Sequence, residues 1–124
     1  MADKLNEMFQ LRIDFMNAIK EKFPSSYPDW PVDIKKKRNQ KALRETALKG
    51  VEEMFEALQH LKNWKTHKQK GDNAFDREEF LEEMVDAFNY FLAMLVMLGV
   101  TPDEFFNAYK SKNEKIHTRL VGKY

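Results

Sequence analysis

Five acidic residues in two short runs carry the most distinctive chemistry in this sequence: Glu52-Glu53-x-x-Glu56 and Glu83-x-x-Asp86. Glu53 with Glu56, and Glu83 with Asp86, are i, i+3 pairs, and residues three apart are neighbours on one helix face. Two such pairs on helices packed antiparallel would converge into a cluster of four oxygen donors. Hard oxygen ligands without imidazole or thiolate suit Mg²⁺, with Mn²⁺ as the alternative. Magnesium uses few protein ligands and leaves positions for water and substrate phosphates, so the cluster points to phosphate chemistry. Oxygen activation at a di-iron centre calls for two Glu-x-x-His pairs, whereas the chain has a single one, Glu114-x-x-His117.

The ordinary reading of each carboxylate is a solvated surface group. Glu52, Glu53 and Glu56 fit it taken alone, since they project away from the centre of the expected apolar stripe, with Glu53 at its edge beside Ala57. Asp86 fits it poorly: Val85, Ala87 and Phe88 flank it on a helix that is apolar on nearly all sides from Met84 onward. Such a helix belongs at the centre of a bundle. A carboxylate buried there costs several kcal/mol unless it is paired or bound to metal. A salt bridge to a lysine or arginine of another helix is the competing explanation.

The elements that must position these groups are all helical. Apolar residues at three- and four-residue steps predict a first helix over 5–23. Prolines 24, 28 and 31 bound a loop over 24–33 that holds Tyr27 and Trp30 and is expected to pack. Lys35-Lys36-Lys37-Arg38 then reads as a solvated helix start, with phosphate contact as the alternative. The second helix is expected over 39–64, with Ala47, Val51, Met54, Leu58 and Leu61 as its stripe and Leu48 and Phe55 at the border. A polar loop covers 67–73. Asp76 with Glu79 looks like a capping box for a third helix over 77–98. Gly99 ends it, and Thr101-Pro102-Asp103-Glu104 opens a fourth helix that runs to about residue 117. The prediction is one all-α domain, a four-helix bundle spanning 1–124.

Composition narrows the function classes. A net charge of +1, with 33% charged residues, gives no sign of a nucleic-acid-binding surface. The absence of cysteine excludes a disulfide framework, a thiolate metal site and a cysteine nucleophile. The start of the chain lacks the apolar run of a signal peptide, and the apolar stretch over 87–100 is short of the roughly 20 residues of a membrane span. A cytoplasmic protein without membrane contact is expected.

Glu52-Glu53-x-x-Glu56 followed by Glu83-x-x-Asp86 resembles the EExxE…ExxD signature of the all-α nucleoside triphosphate pyrophosphohydrolases, which include MazG and the dimeric dUTPases. Over 44–124 the chain is most similar to the dimeric dUTPase branch, bacteriophage dCTPase–dUTPase in particular, in the run from Leu81 to Gly99, in Phe105 to Tyr109, and in Lys112-Asn113, Arg119 and Tyr124. The Leu61-Lys62-Asn63-Trp64 segment is similar to a stretch that follows that family's first metal helix. The resemblance implies two or more Mg²⁺ ions held by Glu53, Glu56, Glu83 and Asp86, and in-line attack of a metal-bound water on a dNTP to give dNMP and pyrophosphate. It gives Glu52 the role of orienting or deprotonating that water. Lys112, Asn113 and Arg119 would contact phosphate, Lys62 phosphate, and Trp64 the base or a second subunit.

Departures from the branch fall at substrate-reading positions. Asn89 stands where the branch has histidine, and Ile116 and Leu120 replace an asparagine and a glutamine of its C-terminal motif. Arg12 and Met16 align with its uracil-reading residues, with Gln10, Asp14 and Asn17 nearby. The expected substrate is dUTP, dCTP or both; the alternatives are a purine or modified nucleotide, or a non-catalytic helical interaction module. A homodimer or higher homo-oligomer is expected from the family and from the Met- and Phe-rich third helix.

Overall fold

The computed structural model describes residues 3–62, 64–67 and 75–122. Asn63, Tyr124 and the loop expected over 67–73, apart from His67, therefore lie outside the described residues. The architecture is all-α, in the order α1 (Lys4–Lys22), α2 (Lys37–Leu58), α3 (Arg77–Leu98) and α4 (Pro102–Val121). Among the described residues there is no strand, and no single helix is long and apolar enough to cross a membrane.

The capping chemistry is explicit. The side chain of Thr101 accepts from Glu104 N at 3.1 Å, with Pro102 at the first helical position. Asp76 does the same for Glu79 N at 3.0 Å, and Asp3 opens α1 by accepting from Asn6 N at 3.1 Å. Each bond satisfies one of the amide donors that a helix start leaves without an intrahelical partner. At the other end of α3, Val100 N donates to Leu95 O and Gly99 N to Val96 O, both at 3.0 Å. This paired reversal needs a left-handed residue, and Gly99 supplies it at φ +83°.

Two helix ends differ from the sequence expectation. Instead of continuing to 64, α2 stops at Leu58, because its bonding tightens: Gln59, His60 and Leu61 donate to carbonyls three residues back, at 3.0–3.1 Å. Lys62 and Trp64 thus leave the helix. By contrast, α4 runs four residues past 117, to Val121.

Two compact units make up the chain. Met1–Val32 with Leu95–Tyr124 form one, in which α1 packs against α4. Its buried side chains are Phe9, Met16, Val96 and Met97. The proline-rich loop is anchored there, with Val32 N donating to Met97 O at 2.9 Å. Lys20 pairs with Asp29 and lies 5.4 Å from the Trp30 ring centre, so the loop packs as expected. Asp33–Met94 form the other unit, built on α2 and the larger part of α3.

In this second unit the buried face of α2 is not the expected stripe. Leu43, Gly50 and Ala57 are buried, whereas Leu48, Val51, Phe55, Leu58 and Leu61 are exposed. The helix turns its small residues inward, which lets α3 come close: a methyl at Gly50 would stand 2.7 Å from the Phe91 ring. Glu53 lies three residues after Gly50 and four before Ala57, so it shares this face.

Gly99→Ala is expected to lower unfolding free energy by about 1–2 kcal/mol, the usual cost of a left-handed alanine. The added methyl would also stand 2.9 Å from Pro31 Cβ. Urea denaturation of the two proteins measures the difference; equal midpoints would refute this account of the turn.

Candidate metal centre

Two contacts fix how α2 and α3 pair. Gly50 meets Phe91, and His60 Nε2 lies 3.2 Å from Glu83 Oε2. A rising position on α2 meets a falling one on α3, so the helices are antiparallel. The pairing juxtaposes Glu53 and Glu56 with Glu83 and Asp86, as the charge interactions at Glu53 make plain.

The Glu53 carboxyl is held above the ordinary glutamate range. Partial burial is the largest cause, then the Glu56 charge, a hydrogen bond with Glu56, and the charges of Asp86 and Glu83. Glu53 is thus within electrostatic reach of all three other carboxylates of the predicted set. A dication among them would relieve that repulsion, so the donor set fits Mg²⁺ or Mn²⁺. Glu83 adds a second sign: its Oε2 is shielded from water and accepts no hydrogen bond among the described residues. His60 is close enough to pair with it when protonated, but is not aligned to donate to it.

Burial does not follow the sequence expectation. Asp86 is exposed, as are its neighbours Leu81, Val85 and Phe88. The helix is apolar all round, yet only part of its circumference is covered within one chain. The case for Asp86 as a ligand therefore rests on its proximity to Glu53, not on enforced burial. Glu52 and Glu56 are exposed on α2, while Glu53 and Glu83 are half-buried.

The substrate-contacting candidates separate. Lys62 and Trp64 line a groove of about 690 Å³ with Phe55, Leu58, Gln59, Leu61 and Lys65, in the same unit as the carboxylates. Asn89 is half-buried on α3, one turn beyond Asp86. Lys112, Asn113 and Arg119 are exposed on α4, in the other unit, where Asn113 Nδ2 donates to Tyr109 O at 2.8 Å. Two residues escaped the sequence reading. His60 lies one turn beyond Glu56, and Glu79 one turn before Glu83; with Glu83 they bring three ligand atoms within 4.8 Å of one another. The spacing was legible, but Glu79 also serves a helix start, and His60 was expected inside a continuing helix.

The profile of one protein family, described as phosphoribosyl-ATP pyrophosphohydrolase, matches residues 12–113. The match takes in both acidic runs and most of α1, ends at Asn113, and leaves Arg119 outside. No curated protein and no solved structure gives a significant match to the chain.

Because folding raises the pKa of Glu53, ionising this carboxyl opposes folding. Stability from this group is present below the ordinary glutamate pKa and is lost as pH rises through the raised value. Without divalent metal, Glu53→Gln is expected to melt above the wild type at neutral pH, with the gap closing on acidification. Thermal melts across pH in a chelator test this; a variant that melts below the wild type at neutral pH would contradict it.

Proposed function

The chain belongs to the phosphoribosyl-ATP pyrophosphohydrolase family, whose activity is nucleotide pyrophosphohydrolysis, and from that membership we propose a Mg²⁺-dependent enzyme that cleaves dUTP, dCTP or both to dNMP and pyrophosphate. The observation that carries the proposal is the convergence of Glu56, Glu83 and Asp86 on Glu53. Glu53, Glu56, Glu83 and Asp86 are assigned as the residues that hold the cation, with Mn²⁺ as the substitute. When bound, it neutralises triphosphate charge and eases deprotonation of the attacking water.

The chain's own residues then divide the remaining work. Glu52, exposed beside Glu53, accepts a proton from water as the water oxygen bonds to the α-phosphorus. The bond from that phosphorus to the bridging oxygen breaks, and pyrophosphate leaves with the bridging oxygen. Lys62, with Trp64 in the same groove, is assigned to phosphate and base contact respectively. Asn89 is assigned to base selection, because an amide offers both a donor and an acceptor. Lys112, Asn113 and Arg119 are assigned to phosphate. This reading includes a homodimer or higher homo-oligomer, supported by the exposed Val51, Phe55 and Leu58 of α2 and Leu81, Val85 and Phe88 of α3.

A second reading has its own observation. The matching family is named for phosphoribosyl-ATP, a purine nucleotide with a triphosphate. The same carboxylates would serve that substrate, and the departures at Arg12, Met16, Asn89, Ile116 and Leu120 weaken the case for uracil.

Incubation with Mg²⁺ and a panel of dUTP, dCTP, purine dNTPs and phosphoribosyl-ATP, followed by chromatography of monophosphate and pyrophosphate, tests both readings. Asp86→Asn and Glu56→Gln should each lower kcat/KM on the order of a hundredfold or more. Turnover of phosphoribosyl-ATP alone would select the second reading. Pyrophosphate released from no member of the panel would sink both and leave a helical interaction module.

A further inference from the structure

We infer that His60, Glu79 and Glu83 form a second cation site, joined to the four carboxylates through Glu83, that takes a first-row transition-metal dication in preference to Mg²⁺. Each residue offers one ligand atom, and these atoms all lie within 4.8 Å of one another. Ligand atoms about 2.1 Å from a shared ion stand roughly 3–4 Å apart. The His60 Nε2–Glu83 Oε2 separation of 3.2 Å falls in that range. That Glu83 oxygen is the one shielded from water with no hydrogen-bond donor among the described residues. A cation would satisfy it.

The site is built from fixed parts. His60 is held at the close of α2 by its amide, which donates to Ala57 O at 3.1 Å. Its ring meets Phe80 edge-on at 6.4 Å, and Phe80 in turn lies 5.3 Å from Phe75. These rings form an apolar wall beside the imidazole. Glu79 is set in the first turn of α3 by the Asp76 cap. The site thus stands toward one end of the α2–α3 pairing, with His60 one helical turn beyond Glu56 and Glu79 one turn before Glu83.

Donor chemistry gives the class of ion. An imidazole beside two carboxylates suits Zn²⁺, Mn²⁺ or Co²⁺, whereas Mg²⁺ favours oxygen throughout. Three protein ligands leave at least one position open. Glu83 has a second oxygen for the carboxylate cluster, so it can serve both sites. A simple ion pair explains His60 with Glu83 but assigns nothing to Glu79.

The inference shares Glu83 with the proposed Mg²⁺ centre, so its test turns on residues that belong to one site only. The full chain, stripped with chelator, is titrated with Co²⁺ by visible absorption, and its melting is followed separately with Zn²⁺ and with Mg²⁺. Saturable Co²⁺ bands are expected in the wild type, in Glu53→Gln, in Asp86→Asn and in His67→Gln. His60→Gln and Glu79→Gln should each weaken Co²⁺ binding at least about tenfold while keeping the Mg²⁺ stabilisation. Glu79 is exposed, so its variant reports on the site even where His60→Gln disturbs folding. Equal Co²⁺ affinity in wild type, His60→Gln and Glu79→Gln would overturn the second site, as would no saturable binding at all. Bands lost in Asp86→Asn but retained in His60→Gln would place the ion among the four carboxylates, overturning this inference and leaving the proposed function intact.

Discussion

The arrangement depends on holding like charges together. Partial burial and then the neighbouring charges of Glu56, Asp86 and Glu83 raise the Glu53 pKa, so ionising the set together is opposed at this carboxyl. What holds them together is the α2–α3 pairing, where Gly50 meets Phe91 and the buried Ala57 shares the Gly50 face of α2. Small residues let the backbones approach, and burial of the flanking apolar groups supplies the attraction. Gly50 shows the trade most directly: mid-helix glycine costs roughly 0.5–1 kcal/mol against alanine, yet no room for a methyl remains beneath Phe91. Stability is given up locally so that the two helices can approach.

The exposure of Asp86 is compatible with its proposed role, since a carboxylate that meets both a metal and a triphosphate cannot be sealed within an apolar core. Glu53 and Glu83 are half-buried and anchor the cluster, while Glu56 and Asp86 open it to solvent. The apolar side chains around Asp86, Leu81, Val85 and Phe88, likewise lack cover within one chain.

Much of this was legible in the sequence because it rests on local rules. Thr101 before Pro102, Asp76 before Glu79, and Gly99 after an apolar run each announce a helix end through their own backbone chemistry. The two acidic runs announced themselves by spacing. What failed was rotational: periodicity marks an apolar stripe on α2 but cannot say which edge is covered. Val51 and Leu58 carry the stronger hydrophobic signal, yet the helix buries Gly50 and Ala57. The early end of α2 was hidden for a similar reason, since nothing in Gln59-His60-Leu61 breaks a helix and only the tightened bonding shows the stop.

That early stop has a consequence for chemistry. Had α2 continued to 64, Lys62 and Trp64 would project from a regular helix at fixed angles. Released from it, they border a groove with Phe55 and Leu58, in the same unit as the carboxylates. His60 sits in the tight turn just after α2, 3.2 Å from Glu83, and so marks the boundary between the helix pair and the segment that carries the groove. The proposed ligation needs rigid backbone, because a metal tolerates little positional error. The residues sort accordingly: acids and imidazole lie on or against the helices, and the lysine and tryptophan lie beyond them.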